Sequence, residues 1–446
     1  VFLLQSPAQL KMGQRLRSRN LTDLAYQVAL IRPGVGVQGS AVNKFVERYR
    51  HGVTWEYDHP LEKRALERGC GIIVWQEQVV QLIADVGCMS TAEADGIRRA
   101  FAKGKNAHLL GMFKEKFMAG AVGQGVPQDT AEKIWGKING QYMFPESHSY
   151  AFGINALQAA WVKRYHPAEF FTALFNNLPM GFYPREVIRQ DARRFGVPFL
   201  NPDINRSEVD CVPCEGGVLL GLRFVKGIGA ALATAIVKER EDGLFDSVGD
   251  FVQRTRVKPQ AVESLALAGS FDGQEPNRRV ALWEAGLYDG TGRGQVRLPF
   301  RLDHDVPGLE DLTPYQKALA EYGVLGVYPK GHLMEFLRSQ LRGVWTTAQV
   351  AHARDGEMVT VAGWVTTRQH PKGEYGTVFV TVEDEHFYTQ LILWPQVYQR
   401  FRDMLRHHVI KATGKVSRWD GTANVIVTYI EGIELPAAMP RGHDWR

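Results

Sequence analysis

The sequence predicts a multidomain α+β chain: a mainly helical first part, a helix-hairpin-helix domain in the middle and a C-terminal five-stranded barrel. Three observations predict it. Apolar residues recur at helical spacing to about residue 200. Two glycines then break a helical stretch at Lys226-Gly227-Ile228-Gly229, and from about residue 345 the apolar period becomes two. The 446 residues are 45% hydrophobic and 23% charged, enough for several buried cores. No apolar run approaches the ~20 residues that cross a bilayer, so no membrane partner is expected. VFLLQSPAQLK lacks the basic start and long apolar stretch of a signal peptide. With only Cys70, Cys88, Cys211 and Cys214, the composition suits a reducing cytoplasm. A first residue of Val is consistent with a fragment or a processed product.

In chain order, CGIIVWQEQVVQLIADVG (70–87) carries Ile73, Val74, Gln78, Val80, Gln81 and Ile83 around a long helix. TAEADGIRRAFAKG starts another, with Glu93 in its first turn, and TAEKIWGKI and NALQAAWVKRY continue the pattern. Just ahead of the last lie Ser147, His148, Ser149 and Tyr150. Neighbouring side chains diverge, and no GxSxG occurs, so this cluster suits an anion, a sugar or a helix cap better than nucleophilic catalysis. Pro167 restarts a helix after Tyr165-His166. Residues 201–220 are rich in turn formers and β-branched residues and predict short strands and loops. Helices resume at KGIGAALATAIVKER and KPQAVESLALAG. Residues 285–310 are Gly-dense and predict a linker, followed by a helix from Pro314 to Glu321.

Five strands are expected in MVTVAGWVTTR, GTVFVTVEDE, YTQLILW, HHVIKATGKVSR and ANVIVTYIEGIE, with one helix, QVYQRFRDML, after the third. That order is the order of an OB-fold, a small barrel suited to single-stranded nucleic acid.

The net charge of +5 permits a polyanionic partner. Lys11, Arg15, Arg17 and Arg19 form one acid-free run, and Arg98, Arg99, Lys103 and Lys105 a second. At Lys226-Gly227-Ile228-Gly229 both glycines can adopt positive φ, and the next helix start would present its amides to a DNA phosphate. Ala233, Ile236 and Val237 would pack that helix. Other motifs predict little chemistry. Cys211-Val-Pro-Cys214 has no second pair to complete a zinc site. The GxGxxG letters at Gly34–Gly39 follow Pro33 rather than a strand. Asp303-His-Asp305 lies in the linker, and Glu383-Asp384-Glu385 is expected as a solvated turn at a strand end. No residue is assigned to a metal.

VALIRPGVGVQG, CGIIVWQEQVVQL, ADGIRRAFAKGK and FPESHSYAFGINALQAAWVKRYHPAEFF, in this order, resemble the fingers of bacterial C-family DNA polymerases, the polymerase III alpha subunits. The likeness runs from Val1 to about Tyr429, and NNLPMGFYPREVIRQDARRFGV is more similar to the error-prone branch. The resemblance implies fingers at 1–190 and a helix-hairpin-helix duplex-binding domain at 191–290. A linker with a helix and a clamp-binding peptide follows at 291–343, then an OB-fold at 344–436.

It also implies part of a DNA-directed DNA polymerase that adds dNTPs to a primer in error-prone, translesion or repair synthesis. Arg98, Arg99, Lys103 and Lys105 would then contact the triphosphate, with Arg32, Gln76 and Gln78 lining the same cleft and His148 and Tyr150 capping it. Lys226, Gly227 and Gly229 would hold DNA. Gln295-Val-Arg-Leu298-Pro-Phe300 resembles a sliding-clamp peptide anchored by Gln295, Leu298 and Phe300. Two departures stand out: Gln5 where relatives carry Glu, and Pro145-Glu146 in place of Asn-Lys. The family's palm carboxylates, and the Mg2+ they bind in the complete polymerase, are expected outside these residues. No catalytic residue is therefore assigned, and the isolated chain is expected to be inactive. Expected partners are primer-template DNA, single-stranded template at the barrel, dNTP, a sliding clamp and a separate chain carrying the palm. The alternative is a non-catalytic DNA-binding accessory protein derived from a polymerase.

Overall fold

The computed structural model describes residues 4, 6–31, 40–103, 107–138, 144–179, 184–287, 308–370, 376–419, 422–435 and 443–445. Its internal contacts divide the chain into two units, Val1–Trp161 and Val162–Arg446.

The first unit contains α1 (Pro7–Leu16), α2 (Leu21–Leu30), α3 (Ser40–His51), α4 (Lys63–Leu66) and α5 (Gln76–Gly87). It continues with α6 (Thr91–Lys103), α7 (Ala107–Gly123), α8 (Gln128–Ile138) and most of α9 (Glu146–Tyr165). One core joins Met12 and Leu16 of α1 to Phe45 of α3, Trp75 and Phe144. A second joins Leu82 of α5 to Ile97, Phe117 and Ile134 on the three helices that follow. The helix expected across 70–87 begins only at Gln76. Cys70 takes a left-handed conformation, and Trp75, extended, pairs with Phe144 in a parallel bridge. The buried indole of Trp75 is what this irregular entry seats. A second difference concerns Ser147 to Tyr150, which lie inside the first turns of α9 rather than ahead of it.

The second unit starts with α10 (Pro167–Asn176) and α11 (Arg185–Arg194). A small sheet of β1 (Phe199–Leu200), β2 (Val212–Cys214) and β3 (Gly217–Leu219) follows, then α12 (Ala230–Glu239), α13 (Val248–Thr255), α14 (Pro259–Ala268) and α15 (Arg278–Leu287). Their shared core includes Phe171, Phe175, Ile188, Phe199, Ile236, Phe251 and Leu265. The residues around Phe171 to Ile188, inside the stretch expected as fingers, thus pack with the middle domain. Burial of those phenylalanines outweighs their place in the chain.

Next come α16 (Pro314–Leu325), α17 (Leu333–Leu337) and α18 (Thr347–His352). The barrel is built from β4 (Met358–Gln369), β5 (Val378–Glu383), β6 (Tyr388–Leu393), β7 (Val409–Trp419) and β8 (Thr422–Ile433), with α19 (Pro395–Phe401) after β6. β4 pairs with β5 and with β7, β5 with β6, β6 in parallel with β8, and β8 with β7, which closes the five strands. A short β9 (His443–Trp445) runs parallel to β4. All five expected strands and the helix after the third are present in that order. β4 reads as nearly continuous apolar sequence because both its faces are covered. Val359, Val361 and Val365 fill the barrel, while Ala362 and Trp364 pack with Tyr322 of α16 and Leu333 of α17. The same packing ties the helix expected in a linker to the barrel.

Candidate nucleotide and nucleic-acid site

Arg98 and Arg99 sit on adjacent positions of α6, one turn after Asp95. The helix repeat puts residues three and four apart on one face. Arg98 Nε donates to Asp95 Oδ1 at 2.7 Å and Arg99 Nε to Asp95 Oδ2 at 2.7 Å, with a further Arg99 Nη2 bond to the same oxygen. Hydrogen bonds from Arg98 and then Arg99 hold the Asp95 carboxyl below its ordinary value. Arg98 Nη1 also donates to Gln76 Oε1, 3.1 Å away on the first turn of α5. Arg98 Nη2 and Arg99 Nη1 have no hydrogen bond among the described residues, and the Arg99 side chain is 66% exposed. Two guanidiniums share one carboxylate, so the cluster keeps one positive charge of excess and outward N–H donors. Donors of that kind match the hydrogen-bonding chemistry of a phosphate oxygen.

The residue after Gln76 reaches a different helix. Glu77 Oε2 accepts the backbone N–H of Glu146 at 2.9 Å, at the start of α9. The first turn of α5 is therefore the common neighbour of the α6 arginines and of the turn that carries His148 and Tyr150. His148 is exposed, its ring 4.7 Å from Phe144 and 4.2 Å from Phe152. Tyr150 donates to Thr22 Oγ1 at 3.3 Å. Ser149 is internal: it accepts from Trp75 Nε1 at 3.0 Å and donates to the Glu146 carbonyl. Glu146, the acid that departs from the family pattern, forms an ion pair with Arg68, whose guanidinium lies 5.4 Å from the Trp75 ring centre.

Gln78 plays another part than the one expected. It is buried, and its Oε1 accepts the amides of Val74 and Trp75 while Nε2 donates to the Ala65 carbonyl at 3.0 Å. A carboxamide so occupied caps α5 and has no capacity left for a nucleotide. Arg32, Lys105, Gln295, Leu298 and Phe300 lie outside the described residues, as do Gln5, Gly34–Gly39 and Asp303–Asp305. Lys103 ends α6, and its side chain is likewise outside them.

A groove of about 880 Å3 lies between α4 and the end of α5, lined by Leu61, Lys63, Arg64, Ala84, Cys88 and Met89 among others. Its cations face acids already: Arg64 is 3.6 Å from Asp85, and Lys63 4.0 Å from Glu67. Its third cation, Arg68, is paired with Glu146, so the groove offers less net charge to a phosphate than α6 does.

In the second unit the first helix of the expected hairpin is only a single 3-10 turn, Leu222–Phe224. Gly227 has φ of +84°, which an L side chain rarely adopts, and Ile228 is buried beneath it. The Lys226 amide donates to the Val324 carbonyl at 2.8 Å, anchoring the turn to α16, while its side chain is exposed. Gly229 caps α12 without a side chain, and no acid stands in the first turn. The opening amides of α12 are thus open to an anion beside Lys226. Ala233 and Ile236 are fully buried and Val237 packs on the same core.

On the barrel, Trp394 and Tyr429 are each 49% exposed and Phe387 is 42% exposed, whereas Trp364 is buried. Glu383-Asp384-Glu385, expected as a solvated turn, is instead largely buried. Asp384 has no exposed side-chain surface, and it accepts from the Thr347, His386 and Phe387 amides and from Arg338 Nη2. α17 and α18 cover this strand end, which no local pattern announces. Cys211 is buried at the start of β2 with its Sγ accepting from the Gly221 amide, and burial pushes its thiol up to about 12. Cys214 is free, so the pair is no disulfide. No group of three or more His, Cys, Asp or Glu side chains could hold a metal among the described residues. The described residues therefore do not fit the Mg2+ that the resemblance implies. Nor is any helix there long and apolar enough to cross a membrane.

Sequence reading missed Asp95, Glu77 and Arg68. Asp95 was within reach, because an acid three and four residues before two arginines is a helix pair by spacing alone.

Comparison with known proteins matches residues 1–125 to the bacterial DNA polymerase III alpha subunit finger domain. Residues 196–281 match a helix-hairpin-helix motif, and 359–433 an OB-fold nucleic acid binding domain. Error-prone DNA polymerases of Nocardia farcinica, Methylococcus capsulatus and Burkholderia pseudomallei are 34%, 33% and 35% identical to it. The alignments take in 100%, 97% and 97% of this chain but 40%, 44% and 42% of those proteins. The chain spans about two-fifths of the length of these relatives. With finger, hairpin and OB regions in succession and alignment along essentially its full extent, the chain belongs to the bacterial C-family DNA polymerases, on their error-prone branch.

Proposed function

We propose that this chain supplies the nucleotide and DNA grip of an error-prone DNA-directed DNA polymerase. The observation that carries the reading is the Arg98–Asp95–Arg99 cluster. One acid orients two guanidiniums, Gln76 holds one of them from α5, and the donors left over face outward. In nucleotidyl transfer such donors stabilise negative charge that builds on the phosphates. His148 and Tyr150 stand at the edge of the nucleotide, while Lys226, Gly227 and the α12 amides hold duplex backbone without reading bases. Exposed Trp394, Phe387 and Tyr429 give the barrel faces on which single-stranded bases stack.

The chemistry itself belongs to carboxylates and Mg2+ outside these residues, on the same gene product or on a separate chain. A sliding clamp is a further partner through Gln295, Leu298 and Phe300. Deleting residues 295–300 should abolish retention on immobilised clamp, and undiminished retention would remove that contact.

The test of the central reading uses the complete polymerase. Arg98→Ala with Arg99→Ala should raise the KM for dNTP roughly 10- to 100-fold, as expected for lost charged hydrogen bonds, and lower kcat. Unchanged kinetics with all four nucleotides would return the pair to a solvated helix face. The second reading, a non-catalytic DNA-binding protein, draws on the hairpin and barrel alone. Primer extension by the purified 446-residue chain would exclude it and would also refute the expected inactivity.

A further inference from the structure

The positive charge of this chain is concentrated at one end. Residues 1–51 hold eight Lys or Arg against two acids, Asp23 and Glu47, a surplus of six. The whole chain carries +5, so everything after residue 51 is net acidic by one. The nucleotide cluster on α6 and the hairpin at Lys226 use none of this surplus.

The fold decides which of these cations face solvent. Met12 and Leu16 of α1 share a core with Val42, Phe45 and Val46 of α3, so the two helices bury their apolar stripes together. Arg48 is turned inward to the Cys70 carbonyl, and Arg50 forms an ion pair with buried Asp23. Arg15 Nη2 instead donates to Asn43 Oδ1 at 2.7 Å, across the outer seam between α1 and α3. Lys11, one turn before Arg15 and about 6 Å along the helix, shares its side of α1. Lys44 follows Asn43 and is exposed, as are Arg17 and Arg19. No acid lies in α1, and Glu47 is the single exposed acid of α3.

We infer that this α1–α3 face is a second nucleic-acid contact, one that grips the phosphodiester backbone through Lys11, Arg15 and Lys44, with Arg17 and Arg19 at its edge. Its chemistry favours a phosphate backbone over a protein. Protein interfaces draw their energy from buried aromatic and apolar anchors. Among the described residues Leu10 is the only large apolar side chain exposed on either helix. Phosphate contacts need only held cations, and Asn43 holds Arg15 in place. The face reads no sequence, because nothing in it is built to reach base edges. It adds grip to the length of DNA already bound.

The inference rests on the chain being a nucleic-acid binder, but not on the assignments of Arg98, Arg99 or Lys226. The test titrates the 446-residue chain onto primed and single-stranded DNA across a range of salt. Each lost phosphate contact lowers the slope of log K against log salt by about 0.9 on duplex and about 0.7 on a single strand. Lys11→Ala, Arg15→Ala and Lys44→Ala together should reduce the slope by roughly 2 to 3 and weaken binding about equally on unrelated sequences. Arg15→Lys should keep the slope. Lys44→Ala alone, at an exposed position, should remove about one contact and gives the same reading should the triple variant fail to fold. A wild-type chain that binds no DNA would defeat the proposed function as a whole. Normal wild-type binding with an unaltered slope in folded variants would overturn this inference alone and leave the face to an acidic protein partner.

Discussion

Two clusters of arginine and carboxylate in this chain use the same chemistry to opposite ends. On α6, Arg98 and Arg99 share Asp95, whose side chain is 29% exposed, and donors remain over. At the end of β5, Arg338 meets Asp384 and Glu385 with the proportions reversed, and Asp384 is wholly shielded from solvent. There the carboxylate is saturated by donors: the Thr347 amide at 2.8 Å, the Thr347 hydroxyl, two loop amides and a guanidinium. The first cluster has charge to offer a ligand. The second uses its charge to fasten α17 and α18 to the barrel. Which residue type is in excess, and whether water reaches it, separates a site from a strut.

The contrast can be tested from its most costly side. Asp384→Ala would leave the Thr347 amide and hydroxyl and two loop amides without their buried acceptor and Arg338 with Glu385 alone, a loss of about 3–5 kcal/mol. Hydrogen exchange of the β4–β8 amides should show that loss, and unchanged protection would show the cluster to be dispensable. Burial alone would push the Asp384 carboxyl up, but hydrogen bonds from Thr347, Phe387 and His386 override it and hold it below its ordinary value. A carboxyl so lowered stabilises the fold above its unfolded pKa of about 3.9 and loses that contribution as pH falls through the folded value. Barrel protection should therefore decline below about pH 4 in the native chain and be flatter in the variant.

The opposite end of the comparison has the smallest expected effect. Asp95→Asn removes an exposed counter-charge, so stability should change by no more than about 0.5 kcal/mol. The KM for dNTP in the complete polymerase should shift less than in the double arginine variant. A destabilisation as large as that of Asp384→Ala would erase the distinction between the two clusters.

Much of the barrel was legible because β-strand alternation and turn residues are local signals. MVTVAGWVTTR and ANVIVTYIEGIE became β4 and β8 nearly as read. The hairpin turn was legible for the same reason, since a positive φ at Gly227 is a property of one residue. Gln78 and Asp384 were misread because their partners lie elsewhere. Gln78 is matched to Ala65, thirteen residues away, and Asp384 to Thr347, thirty-seven away. From the sequence each resembled a polar residue awaiting a ligand or water.

By itself the sequence determined the succession of helical, hairpin and barrel regions, the kinship with the C-family polymerases and the crowding of positive charge into the first fifty residues. Periodicity, short-range spacing and residue counts are local or additive, so they survive without coordinates. Only the tertiary structure decided which charges are available. Gln76 takes one donor of Arg98 from another helix, Asp23 takes Arg50, and Asn43 holds Arg15. Burial and pairing depend on chain segments that meet in space, and a side chain's capacity for a ligand is whatever those meetings leave unspent.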